Sequence, residues 1–418
     1  MTNEKGFYGL GIAPGILRLL EKMDLTVPTP IQEQSIPIAL ERKDMMGIAQ
    51  TGTGKTLAFG IPIIQRAMQG AGIALIIVPT RELAEQVSEA LGKLGHPLGL
   101  RAAVLIGGES TSRQIRALQR NPHVVVGTPG RILDHIGQRT FLPARVQTLV
   151  LDEADRMLDM GFAPQLSRIL HTLPSERHTM LFSATMPEEI ISMARTYLKL
   201  PTRVEIARSG STAKDVTQEL FFIPQHDKMR LLEKILQDYR GSVLVFARTK
   251  FSAKKIAALV KHLGHAAAEL HSNRSLNQRR EAMEGFKTGR YRVLIATDIA
   301  ARGIDVSNIE LVVNFDLPTS AEDYVHRIGR TGRAGGSGHA ISFARMDQRR
   351  DVQQIERLIR ATLPVSKLPE LPPPFPMPEA RPFKPDFKPF RRSGRGSVPS
   401  GRHPHPSRFS RFPRTSRP

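Results

Sequence analysis

The chain contains no cysteine, which excludes disulfides and thiolate-ligated metal sites. Its thirteen histidines are scattered, and none falls in a His-Glu-x-x-His or comparable metal-binding spacing. No stretch approaches the roughly eighteen consecutive apolar residues that a membrane helix needs. The N-terminal segment 1–20 mixes Asn, Glu and Lys with small residues and lacks the continuous apolar core of a secretory signal. These absences predict a cytosolic soluble protein. Acids are also scarce, 39 against 60 Lys and Arg, for a formal net charge of +21. An excess of that size points to an anionic polymer or membrane surface as partner, with a merely solubilising basic surface as the plain alternative.

What is present is a regular alternation. At 418 residues the chain exceeds the usual single domain. Short β-branched runs at 45–49, 74–79, 124–127, 148–151 and 179–182, then at 219–223, 242–247, 292–296, 310–314 and 339–343, are predicted strands. Helical patterns such as 80–94, 228–238 and 251–263 lie between them. This alternation predicts an α/β fold with parallel sheets covered on both faces, whose ligands collect at the carboxyl ends of strands. The polar stretch 207–217 reads as a linker, which sets one domain at 1–206 and a second at 207–363. In 364–418 the character changes: fifteen of the 31 prolines lie there. From Arg381 onward eleven Lys and Arg face a single acid, Asp386, and the segment is predicted to be a disordered basic tail.

Two motifs carry chemistry. Ala49-Gln50-Thr51-Gly52-Thr53-Gly54-Lys55-Thr56 follows a predicted strand and opens a helical run. Glycines let backbone N–H groups approach phosphate oxygens, and the helix start adds positive potential. Lys55 would reach the β- and γ-phosphates and Thr56 would hold Mg²⁺. Ala49 departs from the general pattern, which has glycine first, and a glycine-rich helix cap is the other reading. Asp152-Glu153-Ala154-Asp155 follows the apolar strand at 149–151. Asp152 is placed for a second Mg²⁺ contact and Glu153 to polarise a water, although acids at a helix start are also favoured by its dipole alone.

With Ser183-Ala184-Thr185 and His326-Arg327-Ile328-Gly329-Arg330-Thr331-Gly332-Arg333, these segments resemble the DEAD-box RNA helicases, and the basic tail resembles the bacterial RhlE-like branch. The resemblance spans 7–343. It implies two tandem RecA-like parallel-sheet domains followed by the tail, with a Q motif at about 5–33 inside the first domain. By the same resemblance Gln32 takes the adenine edge of ATP and Phe7 stacks on its ring. Pro79, Thr80, Arg81, Gly107, Gly108, Thr128, Gly130 and Arg131 correspond to RNA contacts of the first domain. Each of these first-domain motifs is singly also readable as an ordinary turn or cap, and Arg248, Thr249, Arg279 and Thr297 correspond to the RNA contacts of the second domain. Leu276 stands where the family often has glutamine, which removes one polar contact.

Gly303 and Asp305 are implied at the nucleotide, Asp305 accepting a ribose hydroxyl. Arg330 and Arg333 are implied as arginine fingers, against the alternative of a solvated basic face. Ser183, Thr185, Asp155, Asp298 and His326 are implied to couple the two domains. The expected activity is RNA-dependent ATP hydrolysis driving local strand separation, with ATP and Mg²⁺ as cofactors, single-stranded or partly duplex RNA as partner and a cytoplasmic location. Ribosomal and RNA-decay complexes stand as candidate partners. The rival readings are an ATP-gated RNA clamp or scaffold, and a DNA helicase of the same superfamily. Phe383, Phe387, Phe390, Phe409 and Phe412 interleave with the tail arginines, so the tail is expected either to tether RNA or only to solubilise.

Overall fold

Segments such as Ile-Ala-Leu-Ile-Ile and Val-Val-Val-Gly carry apolar groups on both faces of an extended chain, and only a sheet covered on both sides buries them. The computed structural model describes residues 6–50, 52–70, 72–206, 216–301, 309–332 and 338–373, and it contains two such sheets. The first comprises β1 (Met45–Ile48), β2 (Ile73–Ile77), β3 (Ala102–Leu105), β4 (Val124–Gly127), β5 (Val146–Leu151), β6 (His178–Ser183) and β7 (Thr202–Glu205), in the order β3-β4-β2-β5-β6-β1-β7. The second comprises β8 (Val216–Phe222), β9 (Val243–Phe246), β10 (Ala267–Leu270), β11 (Val293–Ala296), β12 (Leu311–Asn314) and β13 (Gly338–Ala344), in the order β10-β11-β9-β12-β13-β8. The strand pairings are parallel throughout.

Alternate side chains along each strand feed two apolar layers, one on each face. In the first lobe Ile76, Val126 and Val150 pack with Phe59 and Val87, whereas Leu75, Val125 and Leu149 pack with Ile132 and Leu166. The strand order then places the chemistry. β6 lies between β5 and β1. The segment after β6 therefore emerges between the phosphate loop that follows β1 and the acidic motif that follows β5.

Three strands missing from the sequence reading, β3, β7 and β10, are all sheet edges. The boundary of the tail also moves. Residues 364–373 belong to the second lobe: Leu220 N–H donates to the Pro364 carbonyl at 2.8 Å, Ser366 N–H to the Leu220 carbonyl at 2.9 Å, and Arg230 Nε–H to the Pro372 carbonyl at 2.6 Å. Proline is tolerated on a sheet edge, where it supplies an acceptor without needing a donor's partner. The rest of the expected tail, 374–418, and the linker core 207–215 lie outside the described residues. Among the described residues no helix is long and apolar enough to cross a membrane.

Candidate functional site

The phosphate loop is shaped by two left-handed glycines, Gly52 at φ 89° and Gly54 at φ 90°. Gly54 caps the helix Lys55–Met68, and a Cβ there would run into the Gln32 amide and the Thr29 hydroxyl. The first N–H groups of that helix have no partner within it, which makes its start a seat for an anion. Thr53 Oγ1 braces the loop by donating to the Gln50 carbonyl at 2.8 Å. Lys55 is buried, with Nζ donating to the Ala49 carbonyl at 3.0 Å and lying 4.0 Å from Asp152 Oδ1. Gly52, Lys55, Thr56, Asp152 and Glu153 line one cavity of about 240 Å³. Thr51 lies outside the described residues.

Gln32 is held against this loop. Its Nε2 donates to the Gly54 carbonyl at 3.1 Å and its Oε1 accepts from Thr29 N–H at 2.9 Å. Phe7, expected to stack on a base, is only 4% exposed and packs in the same apolar cluster as Ile31, so its ring is enclosed by protein.

At the end of β5 the acidic residues diverge. Asp152 is buried, and that burial pushes its carboxyl up to about 6 against the opposing pull of Lys55, with Glu153 adding to the rise. Glu153 sits at φ 53°, ψ 49°, a left-handed conformation that costs a non-glycine residue roughly 1–2 kcal/mol. That turn sends neighbouring side chains to different tasks. Asp155 Oδ2 accepts from Thr185 Oγ1 at 2.9 Å, Thr185 N–H at 2.8 Å and Ala184 N–H at 3.1 Å. Ser183 Oγ in turn accepts from Asp155 N–H at 3.2 Å.

The next residue reaches the other lobe. Arg156, which sequence reasoning passed over, is buried and ion-paired with Asp323. Asp323 lies in the first turn of the helix Ala321–Ile328, capped by Ser320, whose Oγ accepts from Asp323 N–H at 3.2 Å. In sequence this Ser-x-x-Asp pattern reads as a helix cap, and nothing in it signals a partner more than 160 positions earlier. Arg327 is likewise structural. It forks onto Asp298 through Nε at 2.6 Å and Nη2 at 2.7 Å, donates to the Asp316 carbonyl at 2.6 Å, and covers the Phe246 ring. Arg156, Asp298, Asp323, His326, Arg327 and Arg330 line a single small cavity between the lobes. Arg333, Gly303 and Asp305 lie outside the described residues.

The RNA-side candidates spread over both lobes. Pro79 and Thr80 are buried, Thr80 Oγ1 capping the helix Arg81–Gly95 by accepting from Leu83 N–H at 3.3 Å. Gly107 and Gly108 run beside the Arg81 guanidinium, so a Cβ on either would meet it. Thr128 caps the helix Pro129–Gly137, and Gly130 is open above it. Arg131 is tied down by Gln114 Oε1 at 3.1 Å and Thr111 Oγ1 at 2.5 Å, a polar network that the sequence did not signal. Arg248 Nη2 donates to the Leu317 carbonyl at 3.2 Å, Thr249 caps the helix Lys250–His262, and Thr297 N–H donates to the Leu270 carbonyl at 3.2 Å. Arg279 crosses to the first lobe, Nε lying 2.7 Å from Glu82 Oε1 as an ion pair that lacks hydrogen-bond alignment.

Residues 29–193 match the family described as DEAD/DEAH box helicase, and residues 227–335 match the helicase conserved C-terminal domain. The DEAD-box ATP-dependent RNA helicase CshA of Geobacillus kaustophilus is 42% identical over 368 residues, 87% of this chain and 79% of that protein. The structure of S. cerevisiae Dbp5 bound to RNA and ADP BeF3 is 31% identical, covers 87% of this chain and 95% of its own, and superposes with a TM-score of 0.80. A DEAD box protein from the hyperthermophile Methanococcus jannaschii is 36% identical and covers 87% of this chain and 99% of its own, yet superposes with a TM-score of only 0.51.

Proposed function

Because this chain belongs to the DEAD-box family of ATP-dependent RNA helicases, we propose that its hydrolytic site is completed only when residues from both lobes meet. The protein is an RNA-stimulated ATPase that unwinds or remodels RNA. The observation carrying the division of labour is the buried Arg156–Asp323 pair. It joins the acidic motif of the first lobe to the helix that leads into Arg330 in the second.

In this reading the left-handed glycines and the start of the helix Lys55–Met68 cradle the ATP phosphates, and Lys55 neutralises their charge. Gln32 spends one donor on the Gly54 carbonyl of the loop and one acceptor site on Thr29 N–H, and keeps an Nε2 hydrogen and an Oε1 lone pair for the adenine edge. Asp152 and Thr56 suit a divalent ion, since Asp152 is a buried carboxylate whose nearest cation, Lys55, is 4.0 Å away. Mg²⁺ held there would offset the charge building on the phosphates. Glu153 orients and deprotonates the attacking water, and Arg330, with Arg333, stabilises the transferring phosphoryl group. Thr185 and Ser183, bonded to Asp155, report the state of that site to the RNA-facing loops. The RNA track runs over Arg81, Gly107, Gly108, Thr128, Gly130 and Arg131, then Arg248, Thr249, Arg279 and Thr297, gripping backbone rather than bases. The tail tethers RNA to this track, and the protein acts in the cytoplasm.

ATP turnover with and without single-stranded RNA tests the division. Glu153→Gln and Arg330→Ala are each expected to lower the RNA-stimulated rate by about 10³-fold or more. A wild-type rate in either variant, or wild-type turnover indifferent to RNA, overturns it.

A further inference from the structure

The helix Leu276–Lys287 begins with a fixed first turn. Ser275 Oγ accepts from Gln278 N–H at 3.3 Å while Gln278 Oε1 accepts from Ser275 N–H at 3.1 Å. Leu276, Arg279 and Arg280 fall at positions i, i+3 and i+4, which share one face of a helix. That face is turned onto the other lobe. Leu276, in the place where glutamine is frequent in the family, is 6% exposed and packs with the first lobe's apolar cluster, beside Gly108. Arg280 forks between two carboxylates of the first lobe. Its Nε donates to Glu85 Oε1 at 2.9 Å, and its Nη2 reaches both Glu85 and, at 2.6 Å, Glu109 Oε1.

Glu82 and Glu85 are on the helix Arg81–Gly95, and Glu109 follows Gly108, so three carboxylates flank the first lobe's proposed RNA contacts. With the second lobe withdrawn they would repel a phosphate backbone approaching Arg81. With it docked, Arg279 lies on Glu82 and Arg280 on Glu85 and Glu109. The paired carboxylates hold Arg280 firmly protonated, well above its ordinary range.

We propose that Arg280 is a positioning residue for the helicase reaction: by pairing with Glu85 and Glu109 it favours the docked lobes and removes an acidic barrier beside the RNA track. The device consists of protein side chains alone and couples closure to RNA affinity through charge. It rests on the reading of Arg81 and Gly108 as RNA contacts. Arg280 is substantially exposed and its pairs are screened, so the effect belongs on affinity and salt dependence rather than on the chemical step.

RNA-stimulated ATPase of the full chain is measured against RNA concentration for Arg280→Ala, Arg280→Lys, Arg280→Glu and Arg280→Glu with Glu85→Arg. Arg280→Ala is expected to raise the KM for RNA about three- to tenfold, with kcat at saturating RNA within about twofold. Arg280→Lys should fall between wild type and alanine, and the charge swap should recover affinity lost in Arg280→Glu. Glu85→Gln with Glu109→Gln should tighten RNA binding in the absence of nucleotide. Lobe closure is read separately: the chain lacks cysteine, so Leu142→Cys and Met346→Cys, both at exposed positions, accept a dye pair for energy transfer with RNA and a non-hydrolysable ATP analogue. Arg280→Ala should lower the closed fraction. An unchanged KM and closed fraction in a variant that melts like wild type overturns the proposal, as does failure of the charge swap to improve on Arg280→Glu. Arg81→Ala keeps the two readings apart. If it raises the KM for RNA and Arg280→Ala does not, the track stands and the positioning role falls. If Arg81→Ala is silent while Arg280→Ala lowers the closed fraction, the track reading falls instead.

Discussion

In protein free of nucleotide and metal, Asp152→Asn should raise thermal stability while abolishing ATP turnover. Burial lifts the Asp152 carboxyl from its ordinary 3.8 to about 6, even with Lys55 nearby. The unfolded chain ionises this group near 3.8, so at pH 7.5 it is charged in both states, but charging it costs more in the folded one. At about 1.36 kcal/mol per pKa unit the difference is about 3 kcal/mol. Asparagine keeps the shape of the neutral acid and can still accept the Glu153 N–H bond at 3.0 Å. For a lobe of this size about 3 kcal/mol corresponds to a Tm rise on the order of 6–12 °C. The sign of the pH effect follows from an acid whose pKa is raised on folding. The wild type has the corresponding stability in full below 3.8 and loses it as pH rises through about 6. The gap between variant and wild type should therefore shrink to roughly half at pH 5. Calorimetric melts of both proteins at pH 7.5 and pH 5 read this directly. A variant that melts no higher than wild type at pH 7.5, or a gap that is the same at both pH values, refutes the reasoning.

Thr185→Val deletes one of four hydrogen bonds to the Asp155 carboxylate and leaves the three backbone ones. Strand separation should fall about tenfold, since bonds to a charged group contribute about 1.5–3 kcal/mol, while RNA-stimulated ATPase changes less. Parallel loss of both activities would count against a coupling role. His178 is buried, which holds its ring down to about 4 from an ordinary 6.5. Its neutral form supports the fold above pH 6.5, and the first lobe should lose up to about 3 kcal/mol as pH falls from 6.5 through 4. A melt-against-pH curve that His178→Gln fails to flatten sinks that assignment. Deleting 381–418 removes eleven basic residues and should weaken RNA binding and lower its salt slope, measured by titration at several ionic strengths. Unchanged binding leaves the tail a solubilising segment.

Of the ten strands legible in the sequence, all but the edge strand β8 are central, for a physical reason. β2 and β4 are buried along their whole length, so apolar runs betray them. β7, with only Val204 buried among Thr202, Arg203 and Glu205, has one neighbour and a solvated flank, and its sequence resembles a polar loop. β3 and β10 are four-residue edges whose small alanines give weak strand preference. The 364–373 segment was hidden in the opposite way. Its prolines imitate the tail that follows, yet its Pro364 carbonyl and Ser366 N–H pair with Leu220 on the free edge of β8.

At the site, residue types announced candidates for the chemistry, and backbone geometry set where each side chain points. Within 152–156, five consecutive residues face the phosphate-loop lysine, the shared cavity, the interior, the Ser183–Thr185 segment and the second lobe. A continued strand would send these residues to only two faces. The left-handed turn at Glu153 breaks that periodicity, and no composition or spacing rule forecasts it at a glutamate. Arg156 escaped notice for the same reason, since its role depends on where this turn aims the helix Ala154–Asp159 and on which lobe is waiting. Strain at Glu153, an elevated carboxyl at Asp152 and a buried charge pair at Arg156 are each unfavourable in isolation. Phosphates and a cation at Asp152, together with the docked second lobe at Asp323, would offset them if hydrolysis and lobe closure act, as proposed, through this one stretch of five residues.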